Sequence, residues 1–442
     1  MSRQPGLSEW IELVSTHMPH LSVPQARVLA LWSYGIALTR SCGRLTVATF
    51  LALLIGQKVA TVEQRLYEWC CDTSHTAGAK RQTLDVTTCF VPLLRWIVTS
   101  WTGTRLALAL DATTLGARFV VLPLSVVYRG CGIPVAWTVL PANQPGAWRR
   151  EWLRLLRGVR PAIPPDWTVL VLADRGLWAR WLFGRMVRLG WHPLLRINNG
   201  VKFRPAGQTQ WYWLRELVRD VNQCWYGRGT AFVSPARRVD CTLVAWWGEG
   251  DTDPWFLLTD LAPEASDAAW YGLRSWCEQG LKCFKRGGWQ WQYTQMHAPE
   301  RVARLWLALA VATLWMVSVG GALEVEPLPA DSDVPDLRAL LGTAVTPPGR
   351  QRRLRLMRLG LAVVLGVSDH HGRAATAAAP RPRAVAGDTP GGGGRHYPSE
   401  PLEKSRCIKN LPPKAGGSRG PWPSAPLMGP SVLLTQNRHP VP

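Results

Sequence analysis

Acidic residues are scarce in this 442-residue chain, 30 Asp and Glu against 51 Lys and Arg, which leaves a formal charge of +21. That imbalance excludes a protein whose only partners are small neutral molecules, and it points to a polyanion. Lysine is scarce too, eight of the 51 cations, so the charge is carried by arginine; a biased base composition of the gene is the competing explanation. The ten cysteines include one adjacent pair, Cys70 and Cys71, and no C-x-x-C spacing, so neither a zinc site nor a disulfide framework is signalled. The first thirty residues lack the basic start, apolar run and small-residue cleavage site of a signal peptide, and the protein is expected to stay inside the cell. Long uncharged runs that are apolar almost throughout are missing as well, except at Leu305 to Leu323, which is long enough to span a bilayer. Thr313, Ser318 and the Gly320-Gly321 pair favour a buried core helix, and no membrane partner is expected.

Apolar residues at helical spacing dominate residues 1–100 (WIELV, ARVLALWSYGIAL, TVATFLALLI, VEQRLYEWC, CFVPLLRWIV), which predicts an all-helical N-terminal domain. From residue 101 the texture changes. RLALALDATT, RFVVLPLSVVYRG and GIPVAWTVLP read as a three-strand meander, followed by helix (WRREWLRLLRGV), strand (WTVLVLAD), helix (LWARWLFGRMVRLG) and strand (HPLLRI). That order predicts an α/β domain over 101–325 with a mixed sheet and helices on its faces. Residues 198–262 (TQWYWL, GTAFVS, DCTLVAWW, PWFLLTD) read as a β-rich insertion, and a helix is expected from Asp267 through Lys285. A helical segment, including the basic run RQRRLRLMRLG, is expected over 326–369, and 370–442 is too rich in Ala, Pro, Gly and Arg to bury a core and is expected to be disordered.

The chemistry-bearing residues sit at the ends of the core strands. LALALD ends its apolar run at Asp111 and TVLVLAD ends its run at Asp174. If the strands are neighbours the two acids meet, and close carboxylates need a compensating cation, for which oxygen-only ligands favour Mg²⁺ or Mn²⁺. A turn or a helix cap is the plainer use of either Asp. The helix from Asp267 adds Tyr271, Arg274, Glu278 and Lys285, spaced Y-x2-R-x3-E-x6-K, positions that fall within roughly 60° of one another around a helix axis. Glu278 is then a third metal ligand, with Tyr271, Arg274, Lys285 and, beside the second Asp, Arg175 as DNA contacts. An ordinary amphipathic helix explains the Arg274–Glu278 pair, four residues apart, but not the Tyr or the distant Lys. Glu300 is an alternative third acid outside that stripe.

The Y-x2-R-x3-E-x6-K run resembles the YREK signature of the insertion sequence four family of bacterial DDE transposases, and DATTL at Asp111 and ADRG at Asp174 resemble that family's two Asp blocks in the expected order. The resemblance covers about residues 100–325. It implies a ribonuclease H-like mixed sheet carrying the β insertion, catalysis by Asp111, Asp174 and Glu278 with two Mg²⁺ ions (Mn²⁺ as substitute), and cut-and-paste transposition of double-stranded DNA by a homodimer on paired element ends. A cytoplasmic, nucleoid-associated location follows. The family's hairpin route would stack a flipped base on a tryptophan of the insertion, with Trp246, Trp247 and Trp255 as candidates; packing is the commoner use of each. The alternative is a decayed or domesticated DNA-binding relative without catalysis.

Overall fold

The computed structural model describes residues 5–75, 82–142, 148–325 and the two-residue strand 385–386. The N-terminal segments with helical spacing form α1 (Pro5–His17), α2 (Val23–Thr39), α3 (Arg44–Ile55), α4 (Val59–Trp69) and α5 (Phe90–Thr99). Ser22 starts α2 through a capping box with Gln25, satisfying backbone donors that the helix itself leaves open. α2 is then buried almost all round, from Ala26 to Ala37, as its uniformly apolar sequence requires.

The sheet follows the meander read from the sequence. After the short β1 (Trp101–Thr102) come β2 (Arg105–Leu110), β3 (Thr113–Leu115), β4 (Phe119–Tyr128) and β5 (Cys131–Pro141). Next are α6 (Arg149–Val159), β6 (Thr168–Ala173), α7 (Arg180–Arg188) and β7 (His192–Arg196). β8 (Lys202–Pro205), β9 (Tyr212–Trp213), the single-turn α8 (Leu214–Leu217), β10 (Cys224–Ala231), β11 (Val239–Trp246) and β12 (Trp255–Thr259) complete it. The strands lie in the order β5, β4, β2, β6, β7, β12, β11, β10, β8, β9, with β3 pairing the start of β4. β2, β6 and β7 run parallel, and the flanking pairs are antiparallel. The β-rich segment is thus continuous with the main sheet through β12 on β7.

Local chemistry shifted some boundaries. TQWYWL is extended only at β9, because the Glu216 carboxylate accepts the Trp213 backbone N–H at 3.0 Å and starts a helical turn. The helix expected from Asp267 to Lys285 is a 3₁₀ stretch, Ala268–Leu273, followed by α9 (Arg274–Phe284). The Asp267 side chain accepts from the Ala269 N–H and begins the tighter turn. Three residues per turn place Tyr271 out of α-helical phase with Glu278, and Lys285 caps the helix rather than continuing it.

The uncharged run becomes α10 (Pro299–Val325), long and apolar enough to cross a membrane but with 89% of its most apolar window buried inside the protein. Trp315 stacks on Trp10 at 4.7 Å and on Tyr34 at 5.2 Å, tying α10 to α1 and α2. Trp306 packs between Phe284 and Trp291. The buried Arg304 donates to the carbonyls of Cys70 (2.6 Å) and Leu84 (3.0 Å) and pairs with Asp72. Within α10, Thr313 accepts from Trp289 Nε1 at 2.8 Å and donates to the Leu309 carbonyl, so its hydroxyl is satisfied in the core. β13 (Val385–Ala386) pairs in parallel with β1; the expectations for 326–369 and for the rest of 370–442 lie outside the described residues.

Candidate active site

β2 and β6 are parallel neighbours in register, Leu110 beside Ala173. Each follows the same inward-facing pattern until its last apolar residue, so Asp111 and Asp174 leave the same end of the sheet side by side. Each carboxylate first serves its own turn: Asp111 Oδ1 accepts from the Ala112 N–H and Asp174 Oδ1 from the Arg175 N–H, both at 2.8 Å. The turn and cap roles weighed for each Asp are therefore present together with their convergence.

α9 delivers the third acid. Its backbone lies directly on the start of β5, where a Cβ on Gly280 would stand 2.1 Å from the Gly132 carbonyl oxygen and one on Gly132 would stand 2.8 Å from the Cys277 Cα. Two glycines thus set how close α9 comes to the sheet, and with it the depth of Glu278. Burial pushes the neighbouring Cys277 thiol up to about 12, so it stays protonated.

Arg274 occupies the middle of the site. Its Nη1 lies 2.5 Å from Glu278 Oε1, and its Nη2 lies 3.6 Å from both Asp111 Oδ1 and Asp174 Oδ2. The contact to Glu278 is a hydrogen bond; the two at 3.6 Å are ion pairs without one. The buried Nε has no hydrogen-bond partner among the described residues. Burial alone would lower the guanidinium pKa, but the carboxylates of Asp111 and Asp174 outweigh it and raise it. Asp111 is itself raised, by burial above all, with Arg274 opposing and Glu278 and Asp174 reinforcing the shift.

The remaining stripe residues support this cluster. The Tyr271 hydroxyl donates to Asp174 Oδ1 at 3.2 Å, and its ring meets Trp255 edge-on at 5.2 Å. Burial and the adjacent Asp174 raise its pKa. Lys285 Nζ donates to Thr113 Oγ1 at 2.8 Å and to the Thr114 carbonyl at 2.9 Å, fixing β3 immediately after Asp111; burial lowers its pKa, with Asp111 opposing. Arg175 is exposed beside Asp174. Glu300 is an exposed residue in the first turn of α10, and Glu278 is the glutamate held through Arg274 to both aspartates. Sequence reasoning missed Thr113, although the two threonines in DATTL were the signal, and it missed Gly132 and Gly280, for which a single sequence carries none. Trp246 and Trp255 are 6% and 7% exposed and pack edge-to-face at 5.5 Å; Trp247 is half-buried, its Nε1 donating to the Asp251 carbonyl at 3.0 Å.

The donors are the hard oxygens a divalent cation takes. Their spacing is set around a guanidinium instead, and among the described residues no group of three Asp, Glu, His or Cys stands close enough to hold an ion as arranged.

A comparison with curated proteins finds no match. Among solved structures, the chain is similar to one described as a cryo-EM structure of the piggyBac transposase synaptic complex with hairpin DNA, at 11% identity and a TM-score of 0.35, over 70% of this chain and 71% of that one. Residues 104–315 match the family model described as the transposase DDE domain. That span contains Asp111, Asp174 and Glu278.

Proposed function

We propose that the chain is a DDE transposase of the insertion sequence four type, cutting double-stranded DNA at paired element ends and joining the freed ends to a target. The observation that carries this reading is the convergence of Asp111, Asp174 and Glu278 on one cation, Arg274, within the span that matches the transposase DDE domain model. The strand order β5, β4, β2, β6, β7, antiparallel on one side of β2 and parallel on the other, supports a ribonuclease H-like catalytic core.

The three carboxylates suit Mg²⁺ or Mn²⁺ in chemistry, and they would hold such ions only with Arg274 displaced from between them. Bound there, a pair of such ions supplies Lewis-acid polarisation of a phosphate oxygen and a more acidic attacking hydroxyl. The chain's own groups do the rest. Asp111 and Asp174 would hold the ions from the strand ends and Glu278 from α9. Tyr271 orients Asp174 through its hydroxyl, and Lys285 holds the segment after Asp111 through Thr113. Arg274, once released from its hydrogen bond to Glu278 and its ion pairs with the aspartates, would turn its fork to a DNA phosphate, for which its geometry is suited. Exposed Arg175 contacts the backbone on the side of Asp174. Water first displaces the 3′ oxygen, and the freed 3′-OH then attacks target DNA; both are in-line displacements at phosphorus, so one site serves both and no covalent bond to the protein forms. A homodimer would pair the two ends, in the cytoplasm at the nucleoid.

The test is cleavage of DNA carrying the element's own ends, with Mg²⁺, by the native chain beside Asp111→Ala, Asp174→Ala and Glu278→Ala. Metal-dependent 3′-OH release that each substitution abolishes is expected. A native chain that binds the ends but never cuts them, with either Mg²⁺ or Mn²⁺, would replace this reading with that of a decayed DNA-binding relative.

A further inference from the structure

Away from the acids, the far end of the sheet carries a second concentration of charge. On β8, Lys202 and Arg204 alternate with the buried Phe203 and Pro205, so both cations point to one face. The register places Trp213 beside Lys202 and Thr230 beside Arg204, which puts Trp213 and, two residues along β10, Arg228 on that same face. Arg204 lies over the Trp211 ring at 5.1 Å and Arg238, from the β10–β11 turn, over the same ring at 5.7 Å. Lys202 and Arg215 lie over the Trp213 ring at 4.6 and 5.5 Å. Two indoles thus hold four cations.

Between these strands is a shallow depression of about 330 Å³ lined by Arg204, Gln208, Arg228 and Thr230, with Asp240 as its one acid. Asp240 is engaged, its Oδ1 accepting from the Thr230 hydroxyl at 2.7 Å. Arg204 and Arg228 have no ion-pair partner among the described residues. The inner face of the same strands is closed by the rings of Phe203 and Trp225, so the cations have only the outer surface.

Cations on an edge strand also serve to block strand-on-strand aggregation. That role explains charges on β8, near the sheet's end. It does not explain Arg228, which is on the interior strand β10, nor Arg238 beyond it. Long side chains held against aromatic rings lose less freedom when they meet a ligand, and guanidinium forks facing solvent fit phosphate oxygens.

We infer that this face, centred on Arg204 and Arg228, is a second DNA-docking surface that grips the phosphodiester backbone of duplex DNA outside the catalytic site. β8 stands five strands from β6, roughly 24 Å at about 4.8 Å per strand, which is about 7 base pairs of duplex. On the transposase reading proposed above, the surface therefore holds flanking duplex well removed from the scissile phosphate and sets the direction in which the DNA leaves the site. The docking itself rests on the charge and geometry of this face, not on catalysis.

The experiment measures binding of the full chain to a 30-base-pair duplex across a salt series without divalent metal, for the native protein, Arg204→Ala/Arg228→Ala, Arg228→Glu and, as an exposed cation on α6, Arg157→Ala. Thermal unfolding shows that each variant is folded. The double substitution is expected to reduce the slope of log K against log salt by ~1.8, about 0.9 for each lost phosphate contact, with Arg228→Glu weakening binding further per site and Arg157→Ala leaving it unchanged. Unchanged slope and affinity in the folded double variant would overturn the inference, and so would an equal loss with Arg157→Ala, which would make the binding diffuse. A loss seen with a single strand and not with the duplex would overturn the duplex assignment, and a change in sedimentation without DNA would assign the face to self-association. Each of these outcomes leaves the Asp111, Asp174 and Glu278 cleavage test standing on its own.

Discussion

At Arg274 one guanidinium answers three carboxylates, and the site's electrostatics turn on it. Removing it leaves Asp111, 15% exposed, facing Asp174 and Glu278 without the cation that pairs with all three. Arg274→Ala is expected to lose about 1–3 kcal/mol of stability, less than a fully buried pair because Asp174 and Glu278 are 36% and 44% exposed. On the proposed function, Mg²⁺ should recover more of that loss in the variant than it adds to the native chain, since it would no longer compete with the guanidinium. Differential scanning calorimetry with and without Mg²⁺ reads this directly, and an equal Mg²⁺ response in both proteins would show that Arg274 does not compete with metal. Tyr271→Phe is the gentler change. It keeps the ring against Trp255 and deletes only the hydroxyl bond to Asp174, so the stability cost should be about 0.5–1.5 kcal/mol. On the proposed function, cleavage should fall with little change in DNA binding; an equal fall in binding would make Tyr271 a DNA contact instead.

The elements owe their placement to contacts that a periodicity does not encode. Apolar spacing made α1 to α5, the meander and the α/β alternation legible, because burial of one face imposes a period on any sequence. The break within the Tyr271-to-Lys285 segment was not legible, since the choice between a 3₁₀ turn and an α-helix rested on Asp267 capping Ala269 and on the packing of α9 against β5. Gly280 carries that packing. Gly280→Ala drives a methyl into the Gly132 carbonyl and is expected to cost at least ~1–3 kcal/mol, the range of overpacked cores, and to displace Glu278. Chemical denaturation checks the cost; an Ala variant as stable as the native chain would show that α9 slides freely on the sheet.

Across the whole molecule, α10 joins the N-terminal helices to the main sheet. Arg304, 5% exposed, reaches back to Cys70, Asp72 and Leu84, so Arg304→Met should cost about 2–4 kcal/mol, chiefly by leaving two carbonyls without their donor, since Asp72 is 44% exposed and is re-solvated. A loss of less than about 1 kcal/mol in equilibrium unfolding would mean the N-terminal helices are held chiefly by the Trp10, Tyr34 and Trp315 stack. Because α10 is enclosed by protein, the chain should remain in the supernatant of a high-salt lysate; a salt-resistant membrane pellet would contradict its role as a core helix.

The sequence by itself determined the helical N-terminal segment, the α/β order and the strand-end position of both aspartates, because each follows from local patterns of burial. It also singled out Glu278, through a spacing that needs no tertiary knowledge to be noticed. Only the tertiary structure decided that Tyr271 donates to Asp174 and Lys285 to Thr113, that Arg274 sits among the three carboxylates, and that Trp246 and Trp255 pack against each other rather than facing solvent. Those outcomes depend on which surfaces approach one another across tens or hundreds of residues, and no local period carries that information.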